Sequence, residues 1–305
     1  MEFSKKFETA PECWINARTW PCPGKERKPL LVLLHYWGGS TETWHRLTEL
    51  DSPTSLSAIY PTVAIDLRGW GESSQLPSSM AVDSAQAFSI KAMAFDVGTV
   101  LQRMKSDADT KGMFDHGFIL VGHSMGAKVA LATASNLHQL FPELKGFVLI
   151  APAPVTPMIL PPDIIKMRQA AYDCEAHVRG AMAHDLAQEG MLSASDADLV
   201  VRGSLKGHPL AKKSWPGYAM QEDVSELVRG ALGQARRADS PLKAVVIYGG
   251  NDPVEPKERV MGEVVPFLEK CGVDIISANG AENAKHLIPL ESPEMVYNQI
   301  SRGFN

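Results

Sequence analysis

The sequence is poor in cysteine and gathers no positive charge into a stripe. Only four cysteines, Cys13, Cys22, Cys174 and Cys271, occur in 305 residues, with no Cys-x-x-Cys spacing and no histidine pair beside them. Neither a disulfide framework nor a zinc site is indicated. All four read as free thiols, with a Cys13–Cys22 bridge left open, and none occupies a nucleophile-like turn, which sets thiol catalysis aside. Lys and Arg number 30 against 35 Asp and Glu, a formal net charge of -5 with the two signs interspersed. That pattern lacks the basic footprint of nucleic-acid binding. No window reaches the roughly 18 consecutive apolar residues of a spanning helix. Met1 to Ala10 has no apolar signal-peptide core, and Gly303-Phe304-Asn305 matches no lipid or peroxisomal address. The expectation is a cytoplasmic protein with no membrane span, no metal and no organic cofactor.

What is present is ordinary globular material, 45% hydrophobic and 21% charged, enough for one large core with an insertion. Short apolar runs predict buried parallel strands at Leu30 to His35, Thr62 to Asp66, Gly117 to Val121, Gly146 to Ile150, Ala244 to Tyr248 and Val273 to Ser277. Such strands hide both faces and therefore lose polar alternation. Helical spacing intervenes at Ser84 to Lys105, Met125 to Leu137, Lys257 to Cys271 and Glu291 to Ile300. Strands alternating with helices predict an α/β protein with a mostly parallel sheet covered on both faces. From Pro152 to about Asp239 the rhythm breaks and no strand is evident. This segment is expected to be a helical insertion with helices at Asp163 to Met182, Ser193 to Arg202 and Gln221 to Ala238.

The strongest local signal is Gly122-His123-Ser124-Met125-Gly126, a G-x-S-x-G sequence between an apolar strand and a helix of small residues. A serine on a sharp strand-to-helix turn has its hydroxyl lifted clear of the sheet, and the flanking glycines remove side chains that would collide there. The helix starting at Met125 also turns its amide dipoles toward the place where negative charge develops in acyl transfer. Ser124 is the candidate nucleophile.

A serine hydroxyl needs a base within reach and an acid to orient that base, in the chain order Ser, Asp or Glu, His. Gly249-Gly250-Asn251-Asp252 puts a carboxylate at the C-terminal end of the strand Ala244 to Tyr248, and His286 follows the next strand at the same sheet edge. Open α/β sheets carry their working side chains there. Asp252 is favoured over Asp274, which lies at the start of its strand, and over Glu282, which has no strand to aim it. The oxyanion donors are expected to be the amides of Met125 and of Trp37 in the loop His35-Tyr36-Trp37-Gly38-Gly39-Ser40, with Tyr36 as the alternative second donor. His35 is read as a brace for this loop and His123 as a packing residue.

With these residues assembled, the chain resembles the α/β-hydrolase superfamily, in particular its esterase, perhydrolase and C–C hydrolase branch. The resemblance rests on Leu34-His35-Tyr-Trp-Gly-Gly-Ser40, Asp66-Leu-Arg-Gly69-Trp-Gly71-Glu-Ser73, Gly122-His-Ser-Met-Gly126, Gly249-Gly-Asn-Asp252 and His286-Leu-Ile-Pro-Leu-Glu-Ser-Pro293. It implies an eight-stranded, mostly parallel sheet with helices on both faces, its first strands drawn from about Phe7 to Pro21. It also implies a core formed by residues 1–151 and 240–305, a helical cap over 152–239, and scaffold roles for Asp66, Arg68 and Ser73. Two residues depart from the family pattern: Tyr36 and Lys285 stand where glycine is usual. Tyr36 is therefore a candidate substrate contact. A serine at the elbow argues against the dehalogenases and epoxide hydrolases of the superfamily, which use aspartate there.

The expected activity is hydrolysis of a small carboxylic ester or lactone through an acyl-enzyme on Ser124, His286 and Asp252. Rivals on the same three residues are C–C bond hydrolysis and cofactor-free perhydrolysis, and outside enzymes a ligand receptor that retains the pocket. Met158, Ile159, Met182, Trp215, Tyr218 and Met220 are the expected apolar lining from the insertion.

Overall fold

Leu30–Leu34 is apolar at every position because the strand is buried on both sides. Leu30, Val32 and Leu34 enter one core, and Leu31 and Leu33 enter a second core on the opposite face. In Lys243–Gly249 the same division sends Ala244, Val246 and Tyr248 one way and Val245 and Ile247 the other. Successive side chains of a strand alternate between faces, so a continuous apolar run signals a sheet covered on both sides.

The computed structural model describes residues 2–22, 27–73, 85–235 and 241–304. Its strands are β1 (Phe3–Ala10), β2 (Cys13–Trp20), β3 (Leu30–Leu34), β4 (Thr62–Ile65), β5 (Phe118–His123), β6 (Leu144–Ile150), β7 (Lys243–Gly249) and β8 (Asp274–Ala281). They form one sheet in the order β1-β2-β4-β3-β5-β6-β7-β8. β1 and β2 pair antiparallel, as do β2 and β4, and every other pairing is parallel. The eight-stranded expectation holds, with β6 starting two residues before its expected position and β8 running on to Ala281.

Cys13 opens β2 and Cys22 lies past its end, a separation of about 25 Å along an eight-residue strand. A disulfide requires α-carbons within about 7 Å. Both are free thiols, as are Cys174 and Cys271. Among the described residues no helix is long and apolar enough to cross a membrane.

The helix Ile90–Ser106 begins with Ser89 accepting from the Ala92 amide, five residues later than its predicted Ser84 start, which lies outside the described residues. The scaffold reading of the Asp66 stretch also holds. Asp66 accepts from Thr41 N at 2.6 Å, Asn16 Nδ2 at 2.9 Å and Glu72 N at 3.0 Å. Arg68 forks onto Asp96 through two bonds of 2.7 Å.

Between β6 and β7 the described chain forms helices and turns but no strand: Pro162–Ala170, Glu175–Ala181, Ala194–Lys206, Pro209–Gly217 and Ser225–Ala235. The predicted end of the last helix at Ala238, and the boundary at Asp239, lie outside the described residues. Two differences from expectation have physical causes. The predicted helix Asp163 to Met182 is split because Tyr172 turns inward. Its ring lies 4.1 Å from that of Trp37, and its hydroxyl donates to Trp37 O at 2.9 Å. That tertiary contact overrides local helical preference. The helix Pro209–Gly217 is additional to the three expected in the insertion. Pro209 stands at the start of the helix, where a missing N–H costs nothing. Pro216 cannot donate to Lys212 O, and that carbonyl instead accepts from Trp37 Nε1 at 3.1 Å.

Candidate active site

β5 ends at His123 and the helix Met125–Thr133 begins one residue later, so Ser124 makes the whole turn alone. It does so at φ 54, ψ -116, a left-handed conformation that a side chain rarely adopts. The turn is held by Ser124 N donating to Ile150 O at 2.9 Å and by Ala127 N donating to Ser124 O at 2.9 Å. Its glycines are required by close approach. A Cβ on Gly126 would lie 2.2 Å from Leu34 O, and one on Gly122 would lie 2.4 Å from Gly126 O.

Asp252 and His286 come from the loops after β7 and β8, which lie against each other: Asn251 N donates to Ala284 O at 3.0 Å. His286 Nδ1 meets Asp252 Oδ2 at 2.8 Å, with both side chains buried. The other carboxylate oxygen accepts from Val254 N at 2.8 Å and Glu255 N at 3.1 Å, which fixes its plane. Burial opposes the charge on Asp252, but His286 and these amides outweigh it and hold the carboxyl below its usual range. Burial likewise presses the His286 imidazole down, and the charge and hydrogen bond of Asp252 overcome it, leaving its pKa above the usual histidine value. Ser124 and His286 face one chamber of about 50 Å³, which Tyr36 and Trp37 also line. The rival acids stand apart: Asp274 is exposed at the first residue of β8, and Glu282 is exposed in the turn after it.

Met125 is the first residue of its helix, where the amide has no intrahelical acceptor. Trp37 is anchored from both ends, its carbonyl to Tyr172 and its indole to Lys212 O, so the oxyanion-loop candidate is clamped to the insertion. Tyr36 is buried, and burial raises its phenol well above the usual tyrosine value against the opposing effect of Ser204. It is a neutral hydroxyl at any physiological pH.

His35 braces the loop as expected. Its Nε2 accepts from Leu67 N at 2.9 Å, so its Nδ1 carries the proton and donates to Tyr36 O at 2.7 Å. His123 does more than pack: its Nε2 donates to the backbone carbonyl of His286 at 2.7 Å. Burial, with a further contribution from His286, lowers its pKa to about 3, so the ring stays neutral. The elbow therefore grips the backbone of the histidine loop directly.

The expected apolar lining needs correction. Of the six residues named, only Trp215 reaches the chamber, while Ile159 is 84% exposed and Met158, Met182 and Met220 are buried elsewhere. The insertion lines the chamber instead through Arg168, Ala171, Tyr172, Ala181, Asp185 and Leu186. Leu186 O accepts from the amides of both His286 and Leu287 at 3.0 Å, and Lys285 Nζ donates to Ala183 O and His184 O at 3.0 Å. The lysine that stands where glycine is usual thus ties the histidine loop to the insertion.

Two buried acids also escaped sequence reasoning. Glu255, beside Asp252, is fully buried and pairs with Arg259 at 3.2 Å, yet burial pushes its pKa up to about 8. Glu291 accepts from Gln188 N at 2.6 Å and Lys285 N at 3.2 Å, a second splint between insertion and histidine loop. The proximity of Glu255 to the carboxylate loop in Asp252-Pro-Val-Glu255 was the available signal, but its burial is a tertiary fact. Among the described residues no cluster of three or more His, Cys, Asp or Glu side chains is arranged for a metal. A larger polar groove of about 680 Å³ lies away from these side chains, and within it Arg46 and His45 both meet Asp196.

A mostly parallel eight-stranded sheet with a strained serine at a strand-to-helix turn is the arrangement of the alpha/beta hydrolase class, and the model of the alpha/beta hydrolase family matches residues 31–299. The chain belongs to that family. In sequence it is similar to the protein phosphatase methylesterase 1 of Bos taurus, 36% identical over 122 residues, and to that of Homo sapiens, 35% identical over the same length. Those matches cover 40% of this chain and 27% of the relatives, so they span about a quarter of the relatives' length. In structure it resembles an esterase from Exiguobacterium antarcticum, with TM-score 0.72, 16% identity and 98% of each chain covered. An esterase from Thermogutta terrifontis aligns with TM-score 0.68 and 20% identity over 99% of this chain and 97% of that one. At such identities the structural likeness speaks to the fold alone.

Proposed function

We propose that the protein hydrolyses a small carboxylic ester or lactone through an acyl-enzyme on Ser124. The observation that carries this reading is the strained Ser124 sharing a chamber with His286, whose far nitrogen is held by Asp252. In the proposed mechanism His286 Nε2 takes the serine proton as Oγ attacks the carbonyl, and the amides of Met125 and Trp37 receive the oxyanion. The imidazolium then protonates the leaving alkoxide. Water, deprotonated by the same ring, releases the acid, while Asp252 keeps Nδ1 protonated throughout. The insertion serves as a cap: it roofs the chamber and, through Leu186, Lys285 and Glu291, is tied to the loop that carries the base. A chamber of about 50 Å³ holds roughly four water-sized groups at about 10–15 Å³ each, which favours a small group at the reacting carbonyl. The partial similarity to a methylesterase supports the ester class.

The test is covalent. A fluorophosphonate should label Ser124, located by peptide mass spectrometry, and labelling of His286→Ala should be slower by about 10²-fold or more, the contribution of a positioned base. Label on another residue, or equal rates in the two proteins, would remove Ser124 or His286 from its role.

A pH dependence follows from the raised pKa of His286. The base works only when neutral, so kcat/KM should rise with pH through an ionisation above the ordinary histidine value of about 6.5. The groups that set it are Asp252 and Glu255, which favour the imidazolium, and Arg168, which disfavours it. A profile whose acidic limb lies at or below the ordinary value would contradict the electrostatic role given to Asp252.

A further inference from the structure

The chamber at Ser124 has a neighbour on the insertion side. A second cavity of about 470 Å³, mostly apolar, runs between Pro162–Ala170 and Glu175–Ala181 past Met167, Ala176, Gly180 and His184. Arg168, Ala171, Ala181 and Asp185 line both spaces and so stand at the boundary, or neck, where the two adjoin. Two of these four are small, and the other two are charged.

Arg168 is half-buried at this neck, and among the described residues no carboxylate meets its guanidinium. Two other arginines of the insertion are paired: Arg179 bonds Glu175 and Asp198 at 2.8 Å, and Arg229 bonds Glu226 at 3.1 Å. Asp185 faces the same neck from the turn Met182–Leu186 without forming an ion pair with Arg168. The charge of Arg168 is felt at the reacting end, since it disfavours the charged form of His286 and eases ionisation of Tyr172. A partly desolvated guanidinium beside an apolar cavity, with no carboxylate on it, is a strong donor fork for a planar anion. With Asp185 nearby the neck carries one positive and one negative charge, which suits a singly charged carboxylate and disfavours a phosphate dianion.

We propose that Arg168 is a specificity residue that binds a carboxylate borne by the substrate, so that the substrate is a half-ester of a dicarboxylic acid. This rests on the reading of Ser124 as nucleophile. The ester carbonyl sits at Ser124, its small alkoxy group fills the inner chamber, and the methylene chain passes between Ala171 and Ala181 to place its free carboxylate on Arg168. The product is a dicarboxylate, with one carboxylate on Arg168 and the second freed at Ser124.

The test compares monomethyl glutarate with methyl pentanoate, which has a methyl in place of the free carboxylate. In the wild-type full chain kcat/KM should favour the half-ester. That ratio should fall about ten- to hundredfold in Arg168→Gln, the range expected for a hydrogen bond to a charged group, and Arg168→Lys should restore part of it. An unchanged ratio in Arg168→Gln, or a wild-type preference for the neutral ester, would overturn the proposal. Binding of both probes to Ser124→Ala, followed through the indole fluorescence of the chamber tryptophans Trp37 and Trp215, gives an independent reading. Tighter binding of the half-ester, lost in Ser124→Ala/Arg168→Gln, supports the role of Arg168, and equal binding of the two probes refutes it. Failure of the wild type to turn over either ester counts against the reading of Ser124, and the binding comparison still decides Arg168.

Discussion

Ser124→Ala is expected to lower kcat toward an ester by about 10⁴- to 10⁶-fold, because a nucleophile and its base act as a unit and either loss disables both. The residue that remains is chemically informative. Met125 N and the Trp37 loop are positioned by the helix start and by the Tyr172 and Lys212 anchors, none of which depends on the serine hydroxyl. Some acceleration over water should therefore survive through the oxyanion donors. The fold should survive too. The turn is secured by backbone bonds to Ile150 and Ala127, and alanine keeps the same Cβ in the same strained conformation. Thermal unfolding of the variant should match that of the wild type, while stopped-flow or steady-state kinetics show the collapse of turnover. Near-wild-type kcat in a folded Ser124→Ala protein would end the acyl-enzyme reading.

Legibility in the sequence followed burial. β3 to β8 were visible because a strand buried on both faces leaves an uninterrupted apolar run, as in Leu30–Leu34 and Lys243–Gly249. Ser124 was visible because the backbone of the turn demands Gly122 and Gly126, and only backbone demands of that severity leave a motif. Asp252 and His286 were readable from their places after β7 and β8. The insertion was not readable in the same way. Its helices pack on one side only, Pro209 and Pro216 disguised one of them, and the turn at Tyr172 depends on Trp37, 135 residues away in sequence. The chamber lining was misjudged for a related reason. Apolarity ranked Met158, Ile159 and Met220 as lining, whereas the residues that face Ser124 include the charged Arg168 and Asp185. Glu255 and Glu291 were missed because nothing local marks an acid as buried.

Asp252→Asn is expected to lower kcat by about 10⁴-fold, the scale seen when a triad acid loses its charge but keeps its shape. The geometry gives the cause. One carboxylate oxygen accepts from the Val254 and Glu255 amides, so an asparagine carbonyl is drawn to that position and its NH₂ is left facing His286 Nδ1. The NH₂ then donates to Nδ1, which places the ring proton on Nε2, and an imidazole protonated there cannot accept the serine proton. The second consequence is electrostatic. Burial lowers the His286 pKa and Asp252 is the largest influence raising it, so with Asp252 neutralised the acidic limb of kcat/KM should move to lower pH even as the plateau falls. Neutral Asp274→Asn and Glu282→Gln variants should show neither effect, because both side chains are exposed and outside the hydrogen-bond network of His286. The pH–rate profile separates the candidates: a loss of kcat without the downward shift points to disturbed packing around Glu255, and wild-type kinetics in Asp252→Asn assign the acid elsewhere.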